Sequence, residues 1–196
     1  MNFFPPDPPE DDVEPPEMEQ DPRWNPPADE VPAIVPIGEA LAVTDTVAIV
    51  VSHARVFRNG VDIVIDRRSR RGSRNRREWE TVQWSAHASF PGMGADRLRY
   101  GMALGDGQHL LLDRPGWTPD EDRGDAHSLF ASGGGGGAGG PDYTVHLDGM
   151  WLWPLPPEGP LEIVTQWPAE GIPESRVVLD GGALRARAAD SRKVWE

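Results

Sequence analysis

Hydrophobic and polar positions alternate with a period of two through the later part of the chain. From Tyr143 the odd positions are Tyr143, Val145, Leu147, Gly149, Trp151, Trp153 and Leu155, and the even ones begin Thr144, His146 and Asp148. That spacing predicts a strand with one apolar face and assigns the odd residues to the core. Pro154, Pro156 and Pro157 end the ladder, because proline has no N–H to donate. Leu161, Ile163 and Trp167 alternate with Glu162 and Gln166, so a second amphipathic strand follows, stopped by Pro168 and Gly171-Ile172-Pro173. Trp151, Trp153 and Trp167 read as buried core, not as a flat platform for sugar rings or proline-rich peptides. Trp84 and Trp117 are the better candidates for exposed aromatics.

The same reading of the rest predicts further short strands. Ile37–Val43 is a first strand, and the β-branched run Thr46–Phe57 is a central one. Asn59-Gly60 between Phe57 and Val61 predicts a type I′ hairpin, since that turn needs two residues at positive φ. Val61, Ile63 and Ile65 form the return strand. A short helix is expected over Glu78–Ala88, and strands over Arg97–Leu104 and Gln108–Leu112 around Gly105-Asp106-Gly107. Residues 113–141 read as a long flexible loop. Arg176–Leu179 is a strand, Ala183–Asp190 a short helix, and Val194-Trp195 tucks a Trp against the core. Many short strands, without strand–helix alternation, predict an antiparallel β-sandwich of immunoglobulin-like or Greek-key character with one or two short helices.

Composition changes this picture at the N-terminus. Gly and Pro number 22 and 21 among 196 residues, and net charge is −13. Residues 1–32 hold ten acids against one Arg, −9, which leaves −4 for the remainder. Such an acidic, Pro-rich stretch is expected to be a disordered tail, dispensable for folding, ahead of one domain over 33–196. Phe3, Phe4 and Trp24 are its isolated aromatics. There is no Cys, which excludes disulfides and Cys-ligated zinc. Neither a secretory leader nor a membrane-spanning run is read, so the expectation is a cytoplasmic protein with no membrane partner.

The stretch Trp151-Leu152-Trp153-Pro154-Leu155-Pro156-Pro157-Glu158-Gly159-Pro160-Leu161, with Trp167-Pro168 and Gly171-Ile172-Pro173-Glu174, resembles a family of small actinobacterial-type proteins that share this turn motif. The similarity spans roughly Ile37 to Trp195. It implies a common single-domain fold and brings no activity or site residue with it.

Chemistry is sparse. His146-x-Asp148 places two metal-capable groups on what reads as the outward strand face, too few for a site. Ser128 and Ser132 near His127 do not make a triad, and the acids at 120–125 lack the spacing of a calcium loop. The glycines at 133–140 lack the Lys-Ser/Thr of a phosphate loop. No cofactor, metal or catalytic residue is assigned. Residues 67–77 are different: Arg67, Arg68, Arg70, Arg71, Arg74, Arg76 and Arg77 give seven guanidiniums in what reads as a flexible loop. They form a candidate polyanion site, gated by loose contact with the acidic tail. The leading expectation is a non-enzymatic binding or scaffold module for an unknown protein partner. A polyanion- or nucleic-acid-associated protein acting through the Arg run comes second, and a hydrolase with an unrecognised site third.

Overall fold

The β-branched run after Asp45 lies in the interior of the larger of two main sheets. The structure is a computed structural model and describes residues 21–85, 96–112, 126–132 and 137–195. The protein is mainly β, with antiparallel sheets and two short α-helices. In chain order the strands are β1 (Glu30–Val31), β2 (Ala33–Val43), β3 (Val47–Val56), β4 (Val61–Arg70), β5 (Arg99–Ala103) and β6 (His109–Leu111). Then come β7 (Ser128–Ala131), β8 (Gly137–Gly139), β9 (Tyr143–Trp153), β10 (Pro160–Trp167), β11 (Ile172–Asp180) and β12 (Arg192–Lys193). The helices are α1 (Arg76–Ser85) and α2 (Gly181–Ala186).

The six-stranded sheet runs β2-β3-β4-β9-β7, with β8 also paired to β9, and the four-stranded sheet runs β11-β10-β5-β6. A two-stranded ladder joins β1 to β12. One buried cluster takes residues from both main sheets, among them Ile49, Val51, Ile63, Ile65, Met150 and Leu152 from the first and Tyr100, Met102, Leu161, Ile163 and Trp167 from the second. The face of the six-stranded sheet that carries this cluster is its inner face.

Register decides which side chains reach that core, and in β9 it reverses the expectation. Val61 pairs with Leu152, Ile63 with Met150, Ile65 with Asp148 and Arg67 with His146. Directly paired residues share a face, so the even residues of β9 point inward. Trp151 is fully buried but on the opposite, outer face, beside Asp62. The four residues Gly149–Leu152 are buried on both sides of the sheet, so alternation alone could not tell core from cover. Leu147, expected inside, is 45% exposed.

Other expectations shift for equally local reasons. The β3–β4 hairpin forms, with Phe57 N–H donating to the Gly60 carbonyl at 2.9 Å, yet neither Asn59 nor Gly60 has positive φ. Glycine is required at 60 by close approach instead: a Cβ there would lie 2.6 Å from the Leu152 carbonyl oxygen and on the Trp151 ring. Residues 67–77 are not one loop: only 71–75 form a turn. Arg67–Arg70 complete β4, and α1 starts at Arg76 behind a reciprocal cap, in which Glu78 N–H donates to Asn75 Oδ1 (3.0 Å) and Asn75 N–H to Glu78 Oε2 (2.9 Å). Within 113–141, β7 and β8 add to the edge of β9. Trp195 is 69% exposed and does not tuck against the core.

The acidic segment is also built into the fold further upstream than expected. Glu30 and Val31 pair with Lys193 and Arg192, Ser191 Oγ donates to Glu30 Oε2 at 2.9 Å, and Lys193 bridges to Asp29 at 3.1 Å. Pro22–Trp24 reach β7 and β9. Residues 22–31, read as part of the tail, therefore make contacts with the sheets and with the C-terminal segment. Phe3, Phe4, His87, Trp117, the acids at 120–125 and the glycines at 133–136 lie outside the described residues, as does the side chain of Trp84. Among the described residues no helix is long and apolar enough to cross a membrane.

Candidate functional site

The candidate arginines scatter over two faces and a turn. Arg67 continues the inner-face series Val61, Ile63, Ile65 and is 2% exposed. Its Nε and Nη2 donate to the Asp148 carboxylate at 2.8 and 3.2 Å, and its guanidinium carbon sits 5.8 Å from the Trp167 ring centroid. Tyr100 Oη donates to Asp148 Oδ2 at 3.0 Å. Burial opposes the Arg67 charge, but the hydrogen bond and field of Asp148 outweigh it, so the guanidinium holds its proton more tightly than usual. Burial first, and the Asp148 charge second, push the Tyr100 phenol well above its ordinary range. The cluster is a two-sheet clasp in which the Asp148 carboxylate already accepts three hydrogen bonds from two residues.

The remaining arginines are mostly committed too. Arg68 pairs with Asp66 on the outer face (2.8 Å), Arg71 with Asp142 (3.6 Å), and Arg76 with Glu80 along α1 (2.9 Å). Arg74 reaches the fully buried Glu170 carboxylate at 2.8 Å and Thr46 Oγ1 at 3.3 Å. Arg70 Nε donates to the Asp45 carbonyl. Arg77 is exposed in the first turn of α1. Five of the seven therefore lie within ion-pair distance of a carboxylate of the same chain. The described acids of the N-terminal segment are used elsewhere: Asp21 on Arg23, Asp29 on Lys193, Glu30 on Arg58. Among the described residues no contact supports gating of the Arg run by the tail.

His146 and Asp148, read as outward, face inward beside Arg67 and Tyr100. The histidines and serines are not brought together as a nucleophilic set. His127 Nδ1 meets Gln108 Nε2 and its Nε2 meets the Leu155 carbonyl, both at 3.2 Å, while Ser132 Oγ donates to Asp62. Among the described residues no three His, Cys, Asp or Glu side chains group as a metal site.

What the sequence did not announce is the outer face of the six-stranded sheet. Register sets Val43 against Ala48, Ala48 against Arg68, and Arg68 against Val145; the next row is Ala40, Val50, Asp66 and Leu147. These rows are apolar apart from one ion pair, with Val43 68% and Leu147 45% exposed. The last row, Ile34, Arg55, Asp62, Trp151 and Phe130, is aromatic at one end and ionic in the middle. Asp62 is fully buried and accepts from Arg55 Nε at 2.6 Å and from Ser132 Oγ. This fixes the floor beside Trp151, whose ring meets Phe57 edge-on at 5.6 Å.

Across that floor runs the chain's own Asp21–Trp24. Trp151 Nε1 donates to the Pro22 carbonyl at 2.9 Å, Ser128 Oγ lies within reach of both the Arg23 carbonyl (3.4 Å) and the Trp153 carbonyl (3.3 Å), and Trp24 stacks on Phe130 at 5.7 Å with an 11° interplanar angle. The signal that could have found this site is Trp24 in a stretch otherwise poor in apolar residues. No family model, curated protein or solved structure matches this chain.

Proposed function

We propose that the protein is a non-enzymatic binding module whose ligand surface is the outer face of the six-stranded sheet. The single observation that carries this reading is the pair of outer-face rows Val43-Ala48-Arg68-Val145 and Ala40-Val50-Asp66-Leu147, apolar and partly exposed apart from the Arg68–Asp66 ion pair on β4. Monomeric proteins rarely leave such patches uncovered without a use for them. The two main sheets are read as stacked in a β-sandwich, supported by the single core to which both contribute. A polyanion-binding role for Arg67–Arg77 is the weaker reading, because internal carboxylates already take up most of the run.

The test is panning of a random-peptide display library against the full-length chain, followed by binding of the selected peptides to Leu147→Lys and Arg76→Ser/Arg77→Ser variants. The reading expects affinity to fall with Leu147→Lys at unchanged melting temperature and to survive loss of the arginines. Peptides that depend on Arg76 and Arg77 and ignore Leu147 would favour the polyanion reading.

A further inference from the structure

We propose that the Trp151–Phe130 end of the outer face recognises a proline-containing turn with an aromatic residue two positions after the proline, and that Asp21–Trp24 occupies it in cis against a partner segment of the same chemistry. This rests on the outer face being the binding surface.

The contacts define what is recognised. Trp151 and Ser128 face two successive main-chain carbonyls, those of Pro22 and Arg23, presented by a turn that the Trp24 N–H closes on the Asp21 carbonyl at 3.1 Å. Asp21 at the first position and Pro22 at the second are the residues that favour such a turn. Specificity comes from the aromatic that stacks on Phe130. Asp21 shapes the segment, accepting from the Arg23 N–H at 2.9 Å and from its guanidinium at 2.6 Å.

The same contacts show why the segment can leave. Residues 21–24 join no strand ladder, and Trp24 is still 42% exposed. Among the described residues the Trp151 hydrogen bond, the Ser128 contact and one stacked ring link it to the sheet, with no strand ladder to break. Tethering offsets that weakness, since a short flexible linker gives a local concentration on the order of millimolar. A free peptide with an intrinsic dissociation constant of about 100 µM would therefore bind the intact chain roughly tenfold more weakly than a chain whose own segment is disabled.

The experiment uses the full chain, its Trp24→Ala and Trp24→Leu variants, and Trp24→Ala/Trp151→Phe, each checked for an unchanged circular dichroism spectrum. A fluorescently labelled peptide of residues 20–27 is titrated into each. Binding about tenfold tighter to the Trp24 variants than to the intact chain, lost in the Trp151→Phe double variant, is the expected result. Equal binding to the intact chain and the Trp24 variants, or binding that survives Trp151→Phe, would overturn the proposal. If the Trp24 variants ignore this peptide yet bind panned peptides in a Leu147-dependent way, the proposal falls and the outer-face reading stands; if they bind neither, both fall.

Discussion

Arg67 and Asp148 sit on adjacent antiparallel strands, two residues out of direct register, and meet at 2.8 Å on the inner face of the sheet. The arginine is 2% exposed, so its charge depends on that carboxylate. Asp148→Ala should destabilise the fold by on the order of 3–5 kcal/mol, because it strands a buried cation, while Arg67→Met should cost much less. Urea denaturation of both variants checks this ranking.

Tyr100 gives the clasp a pH signature. Its folded-state pKa is raised, so the native state holds the phenolic proton to higher pH than the unfolded chain does. The stabilisation is therefore complete below about pH 10, the ordinary tyrosine value, and is lost as pH climbs through the raised one. Denaturation followed between pH 9 and 11 should show stability falling with pH, with a shallower slope in Tyr100→Phe. Alkaline absorbance titration of a Tyr143→Phe chain isolates the Tyr100 phenol directly.

Gly60 serves as a spacer under Trp151, not as a turn residue with positive φ. Gly60→Ala should cost about 1–3 kcal/mol through overpacking, as the Leu152 carbonyl is backbone and cannot swing aside. Thermal unfolding of the variant measures it.

Deleting residues 1–32 should lower stability by roughly 2–3 kcal/mol. The deletion uncovers part of the Trp151 indole, leaves its N–H without the Pro22 acceptor and removes the β1–β12 ladder. A melting temperature equal to that of the intact chain would show that the segment does not cover the sheet.

Strand existence was largely legible because period-two patterning is local. The series Val61, Ile63, Ile65 and the run from Val47 to Val56 mark their strands without outside help. Facing was not legible in β9, because Trp151 is covered by residues about 130 positions upstream and no local pattern encodes that cover. Arg67 misled for the opposite reason. Its position in the Val61–Ile65 parity was visible, but the charge suggested a solvated loop, and its partner Asp148 is far along the chain. The capping pair Asn75 and Glu78 was readable around the start of α1 at Arg76, two residues before the expected Glu78.

The central claim is that the outer face around Trp151 binds proline-containing turn segments, and the indole N–H of Trp151 reports on it most directly. Its ¹⁵N–¹H cross-peak, assigned by its loss in Trp151→Phe, can be followed while the residue 20–27 peptide is added to the Trp24→Ala chain. The account predicts a saturable shift of that cross-peak toward its position in the intact chain. A cross-peak that stays in place while the peptide binds, with changes confined to Arg68–Arg77, would contradict it.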